Sequence, residues 1–225
     1  ARIRHVLISS KDYLIAQLTG ECVGDVAACS TAGAMNIRNG QWDAELCEVA
    51  EIDMTILPHL HNPQDNIGTV TESAAQRTGF SAGTAVYAGI GDAGATTLAS
   101  GVSHPGQYNI NIGTSGWIAT VSPEPFTDKP GAANLAFGVE EGFVNAVPFL
   151  NAGDVHKWVT GVFSDGDYAE AHQLIETSKP GSNGVLCLPY LVGERFPVMN
   201  PNIRGAYVGL DPDTTKADMM RAALV

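Results

Sequence analysis

The sequence predicts a mixed α and β chain, with layered sheets that carry helices on their faces. Three observations lead there. Segments with helix caps and apolar spacing stand near both ends. Segments that alternate apolar and polar residues lie between them, separated by glycine turns. Hydrophobic residues make up 44% of the 225 positions, enough for a core and far from a disordered composition.

The elements follow in order. "SSKDYLIAQLTG" reads as a helix with Ser9 or Ser10 as N-cap, Gly20 just past its end, and Leu14 and Leu18 on one face. "VGDVAACSTAGAMNIRNGQW" is rich in small residues and reads as a loop with a short strand or turn. "DAELCEVAEI" is a second helix with Leu46, Val49 and Ala50 as its apolar stripe. Pro58 and Pro63 make "TILPHLHNPQDNIG" a loop. "TESAAQRTG" is a short helix between Thr71 and Gly79. "TAVYAGIG" reads as a buried strand and "DAGATTLAS" as the helix after it, ended by Gly101.

In "QYNINIG" the residues Tyr108, Ile110 and Ile112 share one face, with Gln107, Asn109 and Asn111 on the other. "GWIATVS" is its hairpin partner across the turn Gly113-Thr114-Ser115. "ANLAFGV" and "GFVNAVPF" form another hairpin. "AGDVHKWVTGVF" and "DYAEAHQLIETS" read as helices, and "GVLCLPYLVGERFP" as a short strand running into a loop. "TTKADMMRAALV" is a final helix. Thr214 or Thr215 caps it, Asp218 stands at capping-box spacing, and Met219, Met220, Ala223 and Leu224 form its apolar face. It stops inside that face without a stop signal, so the chain reads as cut. The turn from His104 to Gly106 is the expected domain boundary, giving domains 1–103 and 104–225.

Net charge is −12, from 24 acidic and 12 basic residues. That balance argues against a general nucleic-acid binder, which needs a basic face. A small ligand bearing phosphate stays compatible, because backbone N–H groups bind phosphate without many lysines. Cys22, Cys29, Cys47 and Cys187 lack zinc-type spacing and read as reduced thiols of a cytoplasmic protein. The first residues show no signal-peptide pattern. No apolar run approaches the roughly 20 residues of a membrane helix.

Several residues are candidates for chemistry. Asp92 stands between a strand and a helix, either as an N-cap or as a carboxylate facing a ligand crevice. Gly89, Gly91 and Gly94 would leave room for a substrate beside it, and the carboxylate could accept a hydroxyl proton. Gly113, Thr114 and Ser115 form either a plain hairpin turn or a phosphate-binding one. "GVSHPGQY" has P-loop glycine spacing but lacks the Lys-Ser/Thr pair, and "GTSGW" is no nucleophile elbow. Trp117 is either core or a wall for stacking a sugar. His59 and His61 could share a strand face, but without a third ligand no metal site is assigned. Glu194 and Arg195 read as a structural ion pair.

Taken in order, "KDYLIAQLTG", "GD" with "ACSTAGAMN", "AGIGDAGATTLASG", "NIGTSG" and "LPYLVGERFPVMNPNIRGAYVGL" resemble the FGGY carbohydrate kinases, which include xylulokinase, gluconokinase and glycerol kinase. The resemblance covers essentially the whole chain. It implies parts of two domains of the actin-like, ribonuclease-H-like ATPase fold, with the active site in the cleft between them. It implies MgATP and a sugar or polyol as substrates, D-xylulose first, with ATP and Mg²⁺ as the cofactors. Asp92 would be the catalytic base and, with Ala93, would touch the sugar. Gly113, Thr114 and Ser115 would bind phosphate, Trp117 would face the polyol, and Gly153 and Lys157 would contact the nucleotide. Positioning and one base suit phosphoryl transfer.

The departures are equally specific. The family's Asp-x-Gly-Thr loop and its later glycine-rich adenosine segment are absent here. The chain therefore resembles the middle of a kinase roughly twice as long, expected to be inactive alone. Such a piece should expose core surface, with a homodimer as the simplest association. Gly24 stands where threonine is usual, and Cys29 where alanine is usual. The alternatives are gluconokinase or another member of the family, and a non-catalytic module that binds sugar or nucleotide. A purely structural interaction domain ranks last, because it leaves Asp92 and the Gly-Thr-Ser turn without a purpose.

Overall fold

The structure is a computed structural model and describes residues 3 to 224. The chain falls into two compact units. The first runs up to Asn109 and adds Ala119–Thr127 and Ala133–Ala146. The second comprises Ile110–Ile118, Asp128–Ala132 and the residues from Val147 onward.

The first unit opens with α1 (Ser10–Thr19), β1 (Val23–Asp25), α2 (Val26–Cys29), β2 (Met35–Asn36), β3 (Gln41–Trp42) and α3 (Ala44–Val49). It continues with β4 (His59–His61), β5 (Asn66–Thr69), α4 (Glu72–Thr78), β6 (Ala85–Tyr87) and α5 (Asp92–Ala99). β7 (Tyr108–Ile112), β8 (Gly116–Ser122), β9 (Ala133–Ala136) and β10 (Phe143–Phe149) form a sheet in the order β7-β8-β10-β9, and residues of β7, β8 and β10 are divided between the two units. Both predicted hairpins are present in it, and β9 pairs antiparallel with β10. The second unit adds α6 (Gly153–Phe163), α7 (Tyr168–Thr177), β11 (Leu186–Leu188), β12 (Ala206–Val208) and α8 (Lys216–Leu224).

Local capping explains the helix ends. Ser9 and Asp12 form a reciprocal capping box on α1, and Gly20 closes that helix in the left-handed region. Thr71 caps α4 and Gly79 ends it, as predicted. The core of the first unit gathers Val26, Cys29, Met35 and Ala136, with Ile8, Trp42 and Leu60 packed against it. The backbone N–H of Ala136 donates to Ser30 Oγ at 2.9 Å, tying β9 to the end of α2.

Four expectations need correction. Leu14 is 60% exposed, and α1 instead buries Asp12 and Ile15, because the Asp12 carboxylate turns inward to its partners. On α3 the buried residue is Cys47, while Leu46 and Val49 are exposed. The expected loop at 55–68 contains β4 and β5. β4 pairs in parallel with β1, Val23 opposite His59, a distant partner that no local pattern reveals. β6 is not a buried strand, since Ala85 and Tyr87 are exposed on an antiparallel ribbon with β5. On β7 Tyr108, Ile110 and Ile112 are exposed, as is Asn111 on the other face, and only Asn109 is buried.

In the second unit α8 packs on α6, α7 and β11, with Met220 fully buried. The capping box of α8 is present: Thr215 N–H donates to Asp218 Oδ2 at 2.9 Å, and Asp218 N–H to Thr215 Oγ1 at 3.3 Å. Ser178 Oγ and Asn183 Nδ2 donate to Asp218 Oδ1, each at 2.7 Å, so this carboxylate also fixes the end of α7. Hydrogen bonds from Thr215, then Ser178, hold its pKa down to about 2, against an ordinary 3.8.

The folded pKa lies below the unfolded one. The Asp218 contribution to stability is therefore present above pH 3.8 and is lost as pH falls towards about 2. An acid titration followed by circular dichroism should show destabilisation in that window, and Asp218→Asn should flatten it. An unchanged acid profile in the variant would contradict the assignment.

Candidate active site

Three junctions of the first unit frame a cavity of about 440 Å³: the start of α1, the start of α2, and the segment leading into α5. Its wall includes Ser9, Ser10, Lys11, Thr31, Asp92 and Ala93. Ile8, Ala27, Ala28, Ile90 and Leu135 make the rest of the wall apolar, so three hydroxyls, one ammonium and one carboxylate stand on a largely apolar surface.

Lys11 organises it. Its Nζ lies 2.6 Å from Asp12 Oδ1 and 2.8 Å from Asp25 Oδ2. Both carboxylates are fully buried, while Lys11 keeps 24% of its side chain exposed. Burial works against the Lys11 charge, but the two carboxylates outweigh it and hold its pKa above the usual lysine value. Asp25 also caps α2, accepting from the N–H groups of Ala27 and Ala28, each at 3.0 Å. One ammonium thus joins α1, β1 and α2.

Asp92 lies at this cavity, but not as the N-cap. That place belongs to Gly91, and Asp92 is the first residue of α5. Its Oδ1 accepts from the Ala93 N–H at 2.9 Å, and the residue is exposed. The crevice of a parallel sheet is not its setting either, since β6 belongs to an antiparallel ribbon. The glycines around it do less for a substrate than expected. A Cβ on Gly91 would lie 3.4 Å from Ala28, and one on Gly94 would lie 2.3 Å from Ile90 Cδ1. They chiefly allow close packing within the protein, although both still line the cavity.

The second unit gathers other candidates. Gly113, Thr114 and Ser115 join β7 to β8, closed by the Gly113 N–H donating to the Ser115 carbonyl at 2.9 Å. The start of α6 docks on this turn. Gly153 N–H donates to the Gly113 carbonyl at 2.8 Å, and Asp154 N–H to the Thr114 carbonyl at 3.2 Å. A Cβ on Gly153 would stand 2.5 Å from the Gly113 oxygen, so only glycine fits. Lys157 lies one turn further along α6 and is exposed. Trp117 is half-buried on β8, just past the turn.

Glu194 is buried but is not paired with the Arg195 side chain, which corrects the expected ion pair. Its Oε1 accepts from the N–H groups of Leu150 at 2.8 Å and Arg195 at 2.7 Å, and its Oε2 from Asn151 Nδ2 at 3.0 Å. Asn151 in turn accepts the Leu191 N–H at 2.8 Å. Burial pushes the Glu194 pKa up, but the Asn151 amide and the backbone donors outweigh it, leaving it below the usual value. Sequence reasoning missed Lys11, Asp12 and Asn151. Only the adjacency of Lys11 to a capping-box aspartate hinted at the first two. His59 and His61 face each other at 5.8 Å between ring centroids. No group of three His, Cys, Asp or Glu able to hold a metal ion occurs among the described residues.

The model of the FGGY family of carbohydrate kinases, N-terminal domain, matches residues 1–99, and that of its C-terminal domain matches residues 108–225. The chain belongs to this family. FGGY members are sugar kinases with the actin-like ATPase fold, and this FGGY chain carries parts of two domains. It is 31% identical to a gluconokinase of Bacillus subtilis, over 96% of this chain and 44% of that protein. It is 33% identical to a xylulose kinase of Staphylococcus epidermidis, over 97% of this chain and 44% of that protein. A ligand-bound xylulose kinase from Lactobacillus acidophilus superposes with a TM-score of 0.88 at 28% identity, covering 95% of this chain and 44% of that one. The chain thus spans under half the length of these relatives.

Gly24 and Cys29, the two positions where the resemblance leads one to expect threonine and alanine, meet in space. A Cβ on Gly24 would lie 2.7 Å from the sulfur of Cys29, which is fully buried. Burial, with Asp12 and Asp25 nearby, pushes that thiol up to about 12, so it acts as packing rather than as a nucleophile. Gly24→Thr should cost about 1–3 kcal/mol by overpacking, and adding Cys29→Ala should recover part of the loss. Urea unfolding of both single variants and the double variant measures this coupling. Simple additivity would contradict it.

Proposed function

We propose that this chain is part of a kinase that transfers the γ-phosphoryl group of MgATP to a sugar or polyol hydroxyl. The observation that carries the reading is Asp92, a carboxylate on the wall of a cavity that Ser9, Ser10 and Thr31 also line, in a chain matched by both FGGY domain models. Asp92 takes the hydroxyl proton as the new O–P bond forms, and ADP leaves as the β–γ bond breaks. Ser9, Ser10, Thr31 and Ala93 line the acceptor's place.

In the second unit Gly113, Thr114 and Ser115 receive phosphate oxygens, with exposed hydroxyl side chains on the last two. Gly153 supports that turn from behind, Lys157 faces the nucleotide, and Trp117 forms an aromatic wall for the polyol. Mg²⁺ enters with the nucleotide phosphates. D-xylulose is the first acceptor to try and gluconate the second, because relatives of both names are found.

The domain boundary of this reading lies between residues 103 and 104, supported by family matches that end at 99 and resume at 108. A cytoplasmic setting accords with four free cysteines. No helix among the described residues is long and apolar enough to cross a membrane. Self-association through the exposed face of β7 belongs to the same proposal.

The test is Asp92→Asn in the complete gene product. Turnover should fall by at least about 10²–10⁴-fold, the usual contribution of a general base, while sugar affinity stays. Coupled ADP release and a sugar titration read the two effects separately. Retained turnover would remove Asp92 from the base role.

A further inference from the structure

The segment that leads into Asp92 lies against the buried lysine. A Cβ built on Gly89 (φ +67°) would stand 3.8 Å from Lys11 Cδ, so the lysine stem runs beside the Gly89 backbone at ordinary contact distance. Two residues on, a Cβ on Gly91 would stand 3.4 Å from both Cα and Cβ of Ala28. Ala28 belongs to α2, and Asp25 caps that helix through the Ala27 and Ala28 N–H groups. The same Asp25 meets the Lys11 ammonium at 2.8 Å, and Asp12 meets it at 2.6 Å. Both of these supports therefore trace to one ionic junction. On its other side the segment is tied at its start, where the Ala88 and Gly89 N–H groups donate to the carbonyls of Asp65 and Pro63 at 3.0 and 2.9 Å. The bond from the Ala93 N–H to Asp92 Oδ1 lies within the helix start and moves with it.

We infer that Lys11 is a positioning residue: clamped by Asp12 and Asp25, it holds the segment that sets the Asp92 carboxylate at the cavity. This rests on the proposed role of Asp92 as the base and deepens it by naming what places that base. The clamp is needed because a lysine side chain is long and loses much rotamer freedom when held in one place. Two fully buried carboxylates supply it, since each must keep a partner out of water. Placement matters to rate because a displacement of about 1 Å in a catalytic group can cost about 10²-fold.

The experiment is a double-variant cycle in the complete gene product. Asp25→Asn withdraws one carboxylate from Lys11, while the asparagine oxygen still caps α2. Turnover at saturating sugar and MgATP should fall by about tenfold or more, with sugar affinity changed by less than about twofold. Asp92→Asn is the reference. Adding Asp25→Asn to it should lower turnover by less than about twofold, because the base that Lys11 places is already gone. A merely structural role would instead cut turnover by the same factor in both backgrounds. That additive result, unchanged turnover in Asp25→Asn alone, or a loss of sugar affinity with turnover kept would each overturn the inference and leave Asp92 as the base. Retained turnover in Asp92→Asn alone would overturn both. Should Asp25→Asn fail to fold, Asp12→Asn takes its place: it withdraws the other carboxylate, keeps an acceptor for the Ser9 N–H, and should give the same cycle.

Discussion

The first unit depends on one buried ionic junction. Lys11 bridges Asp12 of α1 and Asp25 at the end of β1, and Asp25 in turn caps α2. Taking charges out of water is expensive, so such a group persists only when every member is paired. Here the pairing is nearly closed. Asp12 also accepts the Ser9 N–H at 3.0 Å, and Asp25 accepts two backbone donors. The starts of two helices and the end of a strand are thereby held together, and those ends form the cavity wall beside Asp92. The junction that positions the wall also engages its one lysine.

The second unit solves a related problem with backbone contacts and neutral groups. Its phosphate-turn candidate is held from behind by the first N–H groups of α6, and that approach works because Gly153 has no side chain. Asn151 and Glu194 then fasten the end of β10 to the loop after β11. Asp218 does the same for α8 and the end of α7. In each case a carboxylate or amide gathers several donors, which keeps a buried polar group satisfied.

Much of this was readable from the residues alone. Helix ends were legible because capping is local: Ser9 stands just before α1 and Gly20 just after it, Thr71 and Gly79 bracket α4, and Thr215 has Asp218 three positions on. The hairpins were legible through alternation and glycine turns. Asp92 and the Gly113–Ser115 turn stood out through their glycine surroundings. What stayed hidden depends on distant partners. β4 pairs with β1, and Glu194 finds its Leu150 donor 44 positions away. Burial of Asp12 was equally invisible, since a Lys-Asp pair in a first helical turn looks like any solvated pair. The apolar residues expected inside but found exposed, such as Leu14 and Val49, sit on faces whose helices turn a different side inward.

The most direct measurement is amide-resonance mapping of this chain with D-xylulose. The account predicts shifts concentrated at Ser9 to Lys11, Ala27 to Thr31 and Ile90 to Gly94, the segments that line the Asp92 cavity. Shifts centred elsewhere, with those segments unmoved at saturating sugar, would contradict the central claim that this cavity receives the acceptor.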